Sequence, residues 1–444
     1  MKQNRSTTSI CPKCFNPIKA IIAEESGSVY LIKECKEHGK FQLLLSDVPD
    51  YYLELYDFFF DIMKVSNKQN DFILHLTNKC NLNCPICLAN ANEYLDEYPK
   101  DKLEQFLSLS KNKQKIDIMG AEPTMRDDIF DIIKTVKKFR HVCALHTNGI
   151  KLSDYGYCKT LKNSGLDEIH LQYDTFNDNT NLKIRGMNLN SIKAQTLNNL
   201  EKLNFSTDIV MTVLKGINET EITEIFNLFS KKDFVKEIFF LGHRPLGKTH
   251  QNDATTCMMP DEVLDFTIKN ANIKLTRNNM KIFQKLYFTM LSVFSKRKCF
   301  YIHHYMYFRC NSAIIPIDEI INMNLLDKVL NRYRKIYIKN KLPAKLFVLL
   351  LIPFTFRISK YLPSFIFASV SYLFNFITAF NLSKLSNRFL LIGFITACDL
   401  YSYDEKISNN CGKGVISAIR GISDNGALDN IRRDMVNNEN ISTN

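Results

Sequence analysis

The chain begins without an apolar leader. Met1-Lys-Gln-Asn-Arg-Ser-Thr-Thr has no hydrophobic stretch of the kind that opens a secretory signal. The expectation is a cytoplasmic protein, in a compartment where disulfides are rare. Internal repeats and low-complexity tracts are also missing. Most unevenly absent is negative charge: no acidic residue lies between Asp327 and Asp399. The eleven cations in that stretch are Lys328, Arg332, Arg334, Lys335, Lys339, Lys341, Lys345, Arg357, Lys360, Lys384 and Arg388. They supply nearly the whole net charge of +12 (58 basic against 46 acidic residues). A charge this localised has a local cause.

At 444 residues, 45% hydrophobic and 23% charged, the chain is globular and has room for two or three domains. It holds thirteen cysteines, at 11, 14, 35, 80, 84, 87, 143, 158, 257, 299, 310, 398 and 411. The first six fall in tight clusters. In a reducing compartment such clusters indicate metal sites, not a disulfide framework.

Residues 1–50 have little apolar periodicity and predict a small module built around a site. Cys11-Pro-Lys-Cys14 and Cys35-Lys-Glu-His38-Gly39 give C-x2-C and C-x2-H spacings. Three sulfurs and an imidazole suit tetrahedral zinc or a rubredoxin-like iron. Residues 51–70 read as a linker, with a connecting helix over 51–66.

Strands and helices alternate from about 71. Predicted strands are Phe72–Thr77, Lys115–Met119, Val142–Thr147, Glu168–Tyr173, Asp208–Leu214 and Glu237–Leu241. Helical patterns lie near 101–110, 127–139, 153–164, 190–203 and 219–230. This alternation predicts an α/β fold: a partial (β/α)6 barrel over 71–255, with its chemistry at the C-terminal ends of the strands. Residues 256–444 form a mainly helical C-terminal extension.

Directly after the first barrel strand comes Cys80-Asn-Leu-Asn-Cys84-Pro-Ile-Cys87. Three thiolates on one loop can hold three irons of a [4Fe-4S] cube and leave the fourth open. An open iron can bind a substrate directly, beyond passing electrons. Gly120-Ala-Glu122-Pro123 follows the second strand, Thr147-Asn148-Gly149 the third, and Leu171-Gln172-Tyr173-Asp174 the fourth.

With these motifs in this order the chain resembles the radical SAM superfamily. That resemblance implies an open iron that binds S-adenosylmethionine and a reduced cluster that cleaves it to a 5′-deoxyadenosyl radical. It assigns Cys80, Cys84 and Cys87 to the cluster, and Gly120, Glu122, Thr147, Asn148, Gln172 and Asp174 to the cofactor pocket. Ala121 departs mildly from the family's Gly-Gly-Glu-Pro. No general base is implied, since the radical performs the difficult step. An electron donor such as ferredoxin or flavodoxin would be required.

The leading knuckle, Cys80–Ala91 (CNLNCPICLANA), Arg126 after the GAEPT motif, and Lys183-Ile-Arg185-Gly186 narrow the likeness. Together they resemble the tetraether lipid synthase group, which includes pterin methyltransferase-like relatives. The resemblance implies C–C bond formation or methylation on a lipid-like substrate. Closely spaced cysteines for auxiliary clusters are missing, although Cys299 with Cys310, or Cys398 with Cys411, could hold one. Cys143 and Cys158 read as core thiols. The competing functions are a radical SAM peptide maturase and a non-catalytic iron–sulfur or zinc protein of electron transfer.

Two uncharged runs, Leu346–Phe356 and Tyr361–Ser383, sit inside the basic stretch. At helical spacing the second has a wide apolar face and a narrow one of small residues that includes Ser364 and Ala368. Core helix, membrane-surface helix and bilayer span remain open readings. The surface reading makes the segment about 328–398 peripheral on an anionic membrane, at the inner face. A nucleic-acid partner is not expected, because the interleaved residues are long aliphatic runs.

Overall fold

Ser26 and Gly27 both have positive φ and join two strands in a tight hairpin, the turn that matches strand twist. The flanking strands belong to a four-stranded antiparallel sheet: β1 (Arg5–Ile10), β2 (Pro17–Glu25), β3 (Ser28–Cys35) and β4 (Gly39–Ser46), in that order. Ile22, Val29, Leu31 and Leu45 of this sheet are buried. The module therefore contributes apolar surface as well as a metal-type cluster, more than its sequence predicted. Helix α1 (Pro49–Ile62) packs on it with Tyr51, Tyr52, Leu55, Phe58 and Phe59 buried. This computed structural model describes residues 4–63, 71–92, 97–110, 114–249, 255–296, 299–311, 313–379, 387–418 and 421–423. The predicted end of the linker helix, 64–66, lies outside them.

The alternation then runs β5 (Asp71–Thr77), α2 (Lys100–Leu109), β6 (Lys115–Gly120), α3 (Ile129–Lys138), β7 (Val142–Thr147) and α4 (Tyr155–Asn163). It continues with β8 (Glu168–Gln172), α5 (Asp178–Arg185), α6 (Asn190–Lys202), β9 (Thr207–Val213), α7 (Ile222–Phe229) and β10 (Val235–Gly242). All six strands are parallel, each beside its neighbour in sequence. Side chains alternate across a strand. One face carries Ile116, Ile118, Leu145, Ile169, Leu171, Ile209 and Phe240, all fully buried in the main core with residues of the helices. The other carries Asp117, His146, His170, Asp208 and Glu237, which meet one another across strands.

The remaining elements are α8 (Pro260–Asn270), α9 (Arg277–Val293), β11 (Ile302–Cys310), β12 (Ala313–Pro316), α10 (Met323–Lys339), α11 (Lys341–Leu351) and α12 (Leu362–Ala379). β13 (Phe389–Thr396), α13 (Glu405–Ser408), β14 (Lys413–Ser417) and β15 (Gly421–Ser423) complete them. This extension is helical, and it also completes the sheet. β13 adds in parallel to β10, and β14 in parallel to β5. The sheet thereby reaches eleven strands, ordered β12-β11-β13-β10-β9-β8-β7-β6-β5-β14-β15. The partial barrel is thus framed by strands the chain makes last.

The N-terminal sheet docks on the segment just before α13. Ser9 Oγ donates to Tyr403 O at 2.6 Å, and Thr7 Oγ1 to Asp404 Oδ1 at 2.8 Å. Lys33 Nζ donates to Leu400 O at 2.5 Å and Ile10 O at 2.9 Å. Burial pushes the Lys33 ammonium down to about 8. Among the described residues no helix is long and apolar enough to cross a membrane.

Candidate active site and metal centres

The Cys80–Cys87 loop leaves the C-terminal end of β5. Asn92 holds its start: Asn92 Oδ1 accepts from Cys80 N–H (2.8 Å), and its Nδ2 donates to Cys80 O and Leu82 O. Gly247 holds its end. Its φ is +62°, and a Cβ there would stand 2.2 Å from Cys87 O. N–H groups already point at the sulfurs: Leu82 N–H at Cys80 Sγ (3.3 Å), Ala91 N–H at Cys87 Sγ (3.4 Å), and Asn148 Nδ2 at Cys80 Sγ (3.8 Å). Burial pushes the Cys80 thiol up to about 12. Its ionisation therefore needs a metal to replace the proton.

The three cysteines are not arranged for one ion. Among the described residues, three groups of metal-type donors close to within 4.8 Å, and Cys80–Cys84–Cys87 is not one of them. A tetrahedral ion with bonds of about 2.3 Å would hold its sulfurs about 3.8 Å apart. A cube with each cysteine on its own corner needs the wider stance that these residues have.

Gly120, at the end of β6, has φ +135°, and a Cβ would meet Thr77 O at 2.3 Å. Only glycine permits this approach. It lets Ala121 N–H donate to Thr77 O and Glu122 N–H to Lys79 O. The Glu122 carboxylate is fully buried and linked to its own chain. Oε1 accepts from Thr124 Oγ1 (2.6 Å) and Thr147 Oγ1 (2.8 Å), and Oε2 from Asn148 N–H (2.7 Å). Burial raises its pKa against those bonds. Glu122 thus clamps the end of β7 to the end of β6. The Asn148 side chain is left to reach Asn81 Oδ1 (2.7 Å) and Cys80.

Gln172 ends β8 and Asp174 follows it. Asp174 is buried; its Oδ2 accepts from Arg185 Nε (2.8 Å) and its Oδ1 from Thr212 N–H (2.8 Å). Arg185 also approaches Cys84, and that proximity acts to lower the Cys84 pKa against its burial. The sequence reading missed Lys193 of α6. Its ammonium bridges Asn148 O (2.5 Å) and Gln172 Oε1 (3.1 Å), tying the third strand end to the fourth. Burial pushes it down to about 7, although Asp174 acts to raise it. A lysine at an ordinary helix position gives no sequence signal for this role.

Cys11, Cys14, Cys35 and His38 converge as predicted. The separations are 3.8 Å for Cys14 Sγ–Cys35 Sγ, 3.5 Å for Cys35 Sγ–His38 Nδ1 and 3.7 Å for Cys11 Sγ–His38 Nδ1. These separations fit the edges of a tetrahedron around a single ion such as zinc.

The interior face of the barrel, one to five residues before the strand ends, is charged. Asp117 Oδ1 lies 3.5 Å from His146 Nε2 and 3.9 Å from His170 Nε2; His170 Nδ1 lies 3.4 Å from Asp208 Oδ2. The two imidazoles stack with centroids 4.2 Å apart. Two such donor groups share His170. Cations already stand beside them. Lys115 Nζ is 3.3 Å from His170 Nε2 and pairs with Glu168, and Lys413 pairs with Asp117. Burial acts to raise the Asp117 carboxyl, and Lys413 with Lys115 holds it well below the usual range. Burial, then Glu237 and Glu168, lifts Asp208 well above it.

Of the later cysteines, Cys299 meets Cys398 rather than Cys310. Its thiol hydrogen-bonds Cys398, and this together with burial pushes Cys398 well up, with Cys411 adding to the shift. Cys143 and Cys158 are fully buried in the core, as expected.

Residues 74–229 match the Radical SAM superfamily model, and residues 4–47 match the HMPTM N-terminal zinc ribbon domain. Over these residues the chain is similar to a radical SAM domain preceded by a zinc ribbon, and the ribbon holds the Cys3His cluster. A 7,8-dihydro-6-hydroxymethylpterin dimethyltransferase of Methanocaldococcus jannaschii is 34% identical over 285 residues, 57% of this chain and 55% of its own length. A GTP 3′,8-cyclase of Aquifex aeolicus is 26% identical over 218 residues, 46% of this chain and 66% of its own. The chain spans between about half and two thirds of these relatives. The solved structure of Streptococcus suis SuiB with precursor peptide SuiA aligns over 54% of this chain and 58% of its own, at 15% identity and a TM-score of 0.39.

Proposed function

We propose that the protein is a radical SAM enzyme acting on a polar, pterin-like heterocycle in one-carbon transfer, with electrons from a small reductant such as ferredoxin or flavodoxin. Cys80, Cys84 and Cys87 hold the [4Fe-4S] cluster in this reading. When bound, that cluster supplies reductive cleavage of S-adenosylmethionine. Gly120, Glu122, Thr147, Asn148, Gln172 and Asp174 shape the cofactor's pocket: Glu122 fixes Thr147 and Asn148, and Arg185 and Lys193 fix Asp174 and Gln172. The zinc ribbon has a structural part, docked against the segment before α13.

The observation that carries the substrate class is the charged barrel interior beneath the cysteine loop. Asp117, His146, His170, Asp208 and Glu237 line it. A lipid tail lying against these ionised and hydrogen-bonding groups would return no hydrogen bond to any of them. A flat ring with N–H donors and ring-nitrogen acceptors answers both carboxylates and neutral imidazoles. Burial pushes His170 to about 3, so it is neutral at physiological pH and can accept. The named activity of the Methanocaldococcus relative agrees with this chemistry.

The test is anaerobic incubation of cluster-loaded protein with a reductant, S-adenosylmethionine and 7,8-dihydro-6-hydroxymethylpterin. The expected result is a methylated pterin by mass spectrometry. Methylation of added lipid with the pterin untouched would sink the substrate assignment.

A further inference from the structure

The cationic stretch carries the molecule's most exposed apolar surface. Sixteen large hydrophobic residues are exposed among the described residues, and ten of them lie between Ile338 and Val370. α11 presents Leu342, Leu346, Leu349 and Leu350 outward while Ala344 and Val348 are buried. α12 anchors through Phe365, whose ring meets those of Phe308, Phe356 and Phe389, and through buried Ala368. It turns Ile366, Phe367 and Val370 outward. Between the helices Phe354 is 75% exposed and Ile358 wholly so. Both helices thus hold to the protein through a few residues and leave a row of large apolar side chains facing out. An apolar patch this continuous marks an interaction site.

Charge selects the partner. Lys335, Lys339, Lys341, Arg357 and Lys360 are exposed around the patch, and among the described residues none of them forms an ion pair. Arg334, bound to Asp61 at 2.5 Å, and Lys345, donating to Val293 O at 2.8 Å, serve the fold instead. No acid interrupts the set. An apolar layer beneath a sheet of negative charge is what an anionic bilayer offers. We propose that α11, α12 and the turn joining them seat the protein on an anionic lipid surface, lying in the headgroup region without crossing it. The inference is independent of the barrel chemistry.

The test uses the full chain, zinc-loaded and free of detergent, sedimented with vesicles of phosphatidylcholine alone or mixed with phosphatidylglycerol. Binding is expected to the mixed vesicles, falling as salt rises. The combined change Leu350→Glu, Phe354→Glu and Ile358→Glu should abolish it. Lys339→Ala with Lys341→Ala should weaken it by roughly thirtyfold. Unchanged circular dichroism and zinc content would show that each variant folds. No binding by the wild type, or equal binding by the triple variant, overturns the proposal. So does a wild-type dimer that the triple variant dissolves, which would give the face to a second copy.

Discussion

The barrel interior and the outer face of α11 and α12 reverse the usual distribution of residues. Inside, Asp117, Glu168, Asp208, Lys115, Lys413 and two imidazoles form one network around the fully buried Asp117. Outside, leucines and phenylalanines stand in solvent among lysines. Neither arrangement is what burial energetics alone would select, since buried charge is penalised and exposed apolar surface gains nothing. The difference is in what compensates. The interior is compensated within the chain, ion against ion, whereas the outer face has no counterpart among the described residues. A region compensated internally should be intolerant of change; one whose counterpart lies elsewhere should be indifferent until that counterpart is present.

The sharpest way to break this contrast is Asp117→Ala. It leaves Lys115 and Lys413 facing each other without their shared carboxylate and should lower stability by about 3–5 kcal/mol in urea unfolding. A change below about 1 kcal/mol would mean that the floor of the barrel is not ion-paired. Gly120→Ala comes next. Its Cβ would collide with Thr77 O, and the loss should be about 1–3 kcal/mol, with weaker absorbance from a cluster reconstituted on Cys80, Cys84 and Cys87.

Lys193 gives a pH signature. Its folded pKa, about 7, lies below the unfolded value of roughly 10.4. Between those values the unfolded chain binds the extra proton, so stability rises with pH by up to about 1.4 kcal/mol per unit. The slope of wild type minus Lys193→Met, from urea midpoints, should be positive across that window and flat below pH 7. Last and smallest, Leu350→Glu should change stability by no more than about 0.5 kcal/mol without lipid. A larger loss would place Leu350 in a protein contact.

The two regions were not equally legible in the sequence. The cysteine loop, the zinc ribbon and all six inner strands could be read because each rests on local spacing: C-x3-C-x2-C, C-x2-C, and an alternation with strand edges within two residues of those found. β13 and β14 could not be read. They pair with β10 and β5, partners over a hundred residues away, and no local pattern specifies that. The charged interior was hidden as well. Asp117, His146 and His170 sit singly in apolar strands, and only the parallel register brings them together. For the basic segment, periodicity revealed two faces of α12 but not which one points inward. That depended on Phe365 finding Phe308 and Phe389.

The central claim is radical chemistry at the Cys80–Cys87 loop. The most direct measurement is anaerobic: reconstitute wild type and Cys84→Ala with iron and sulfide, add dithionite and S-adenosylmethionine, and assay 5′-deoxyadenosine by mass spectrometry. The account predicts 5′-deoxyadenosine from the wild type and none from Cys84→Ala, with zinc retained in both. Wild-type protein that holds its cluster and yields none would contradict it.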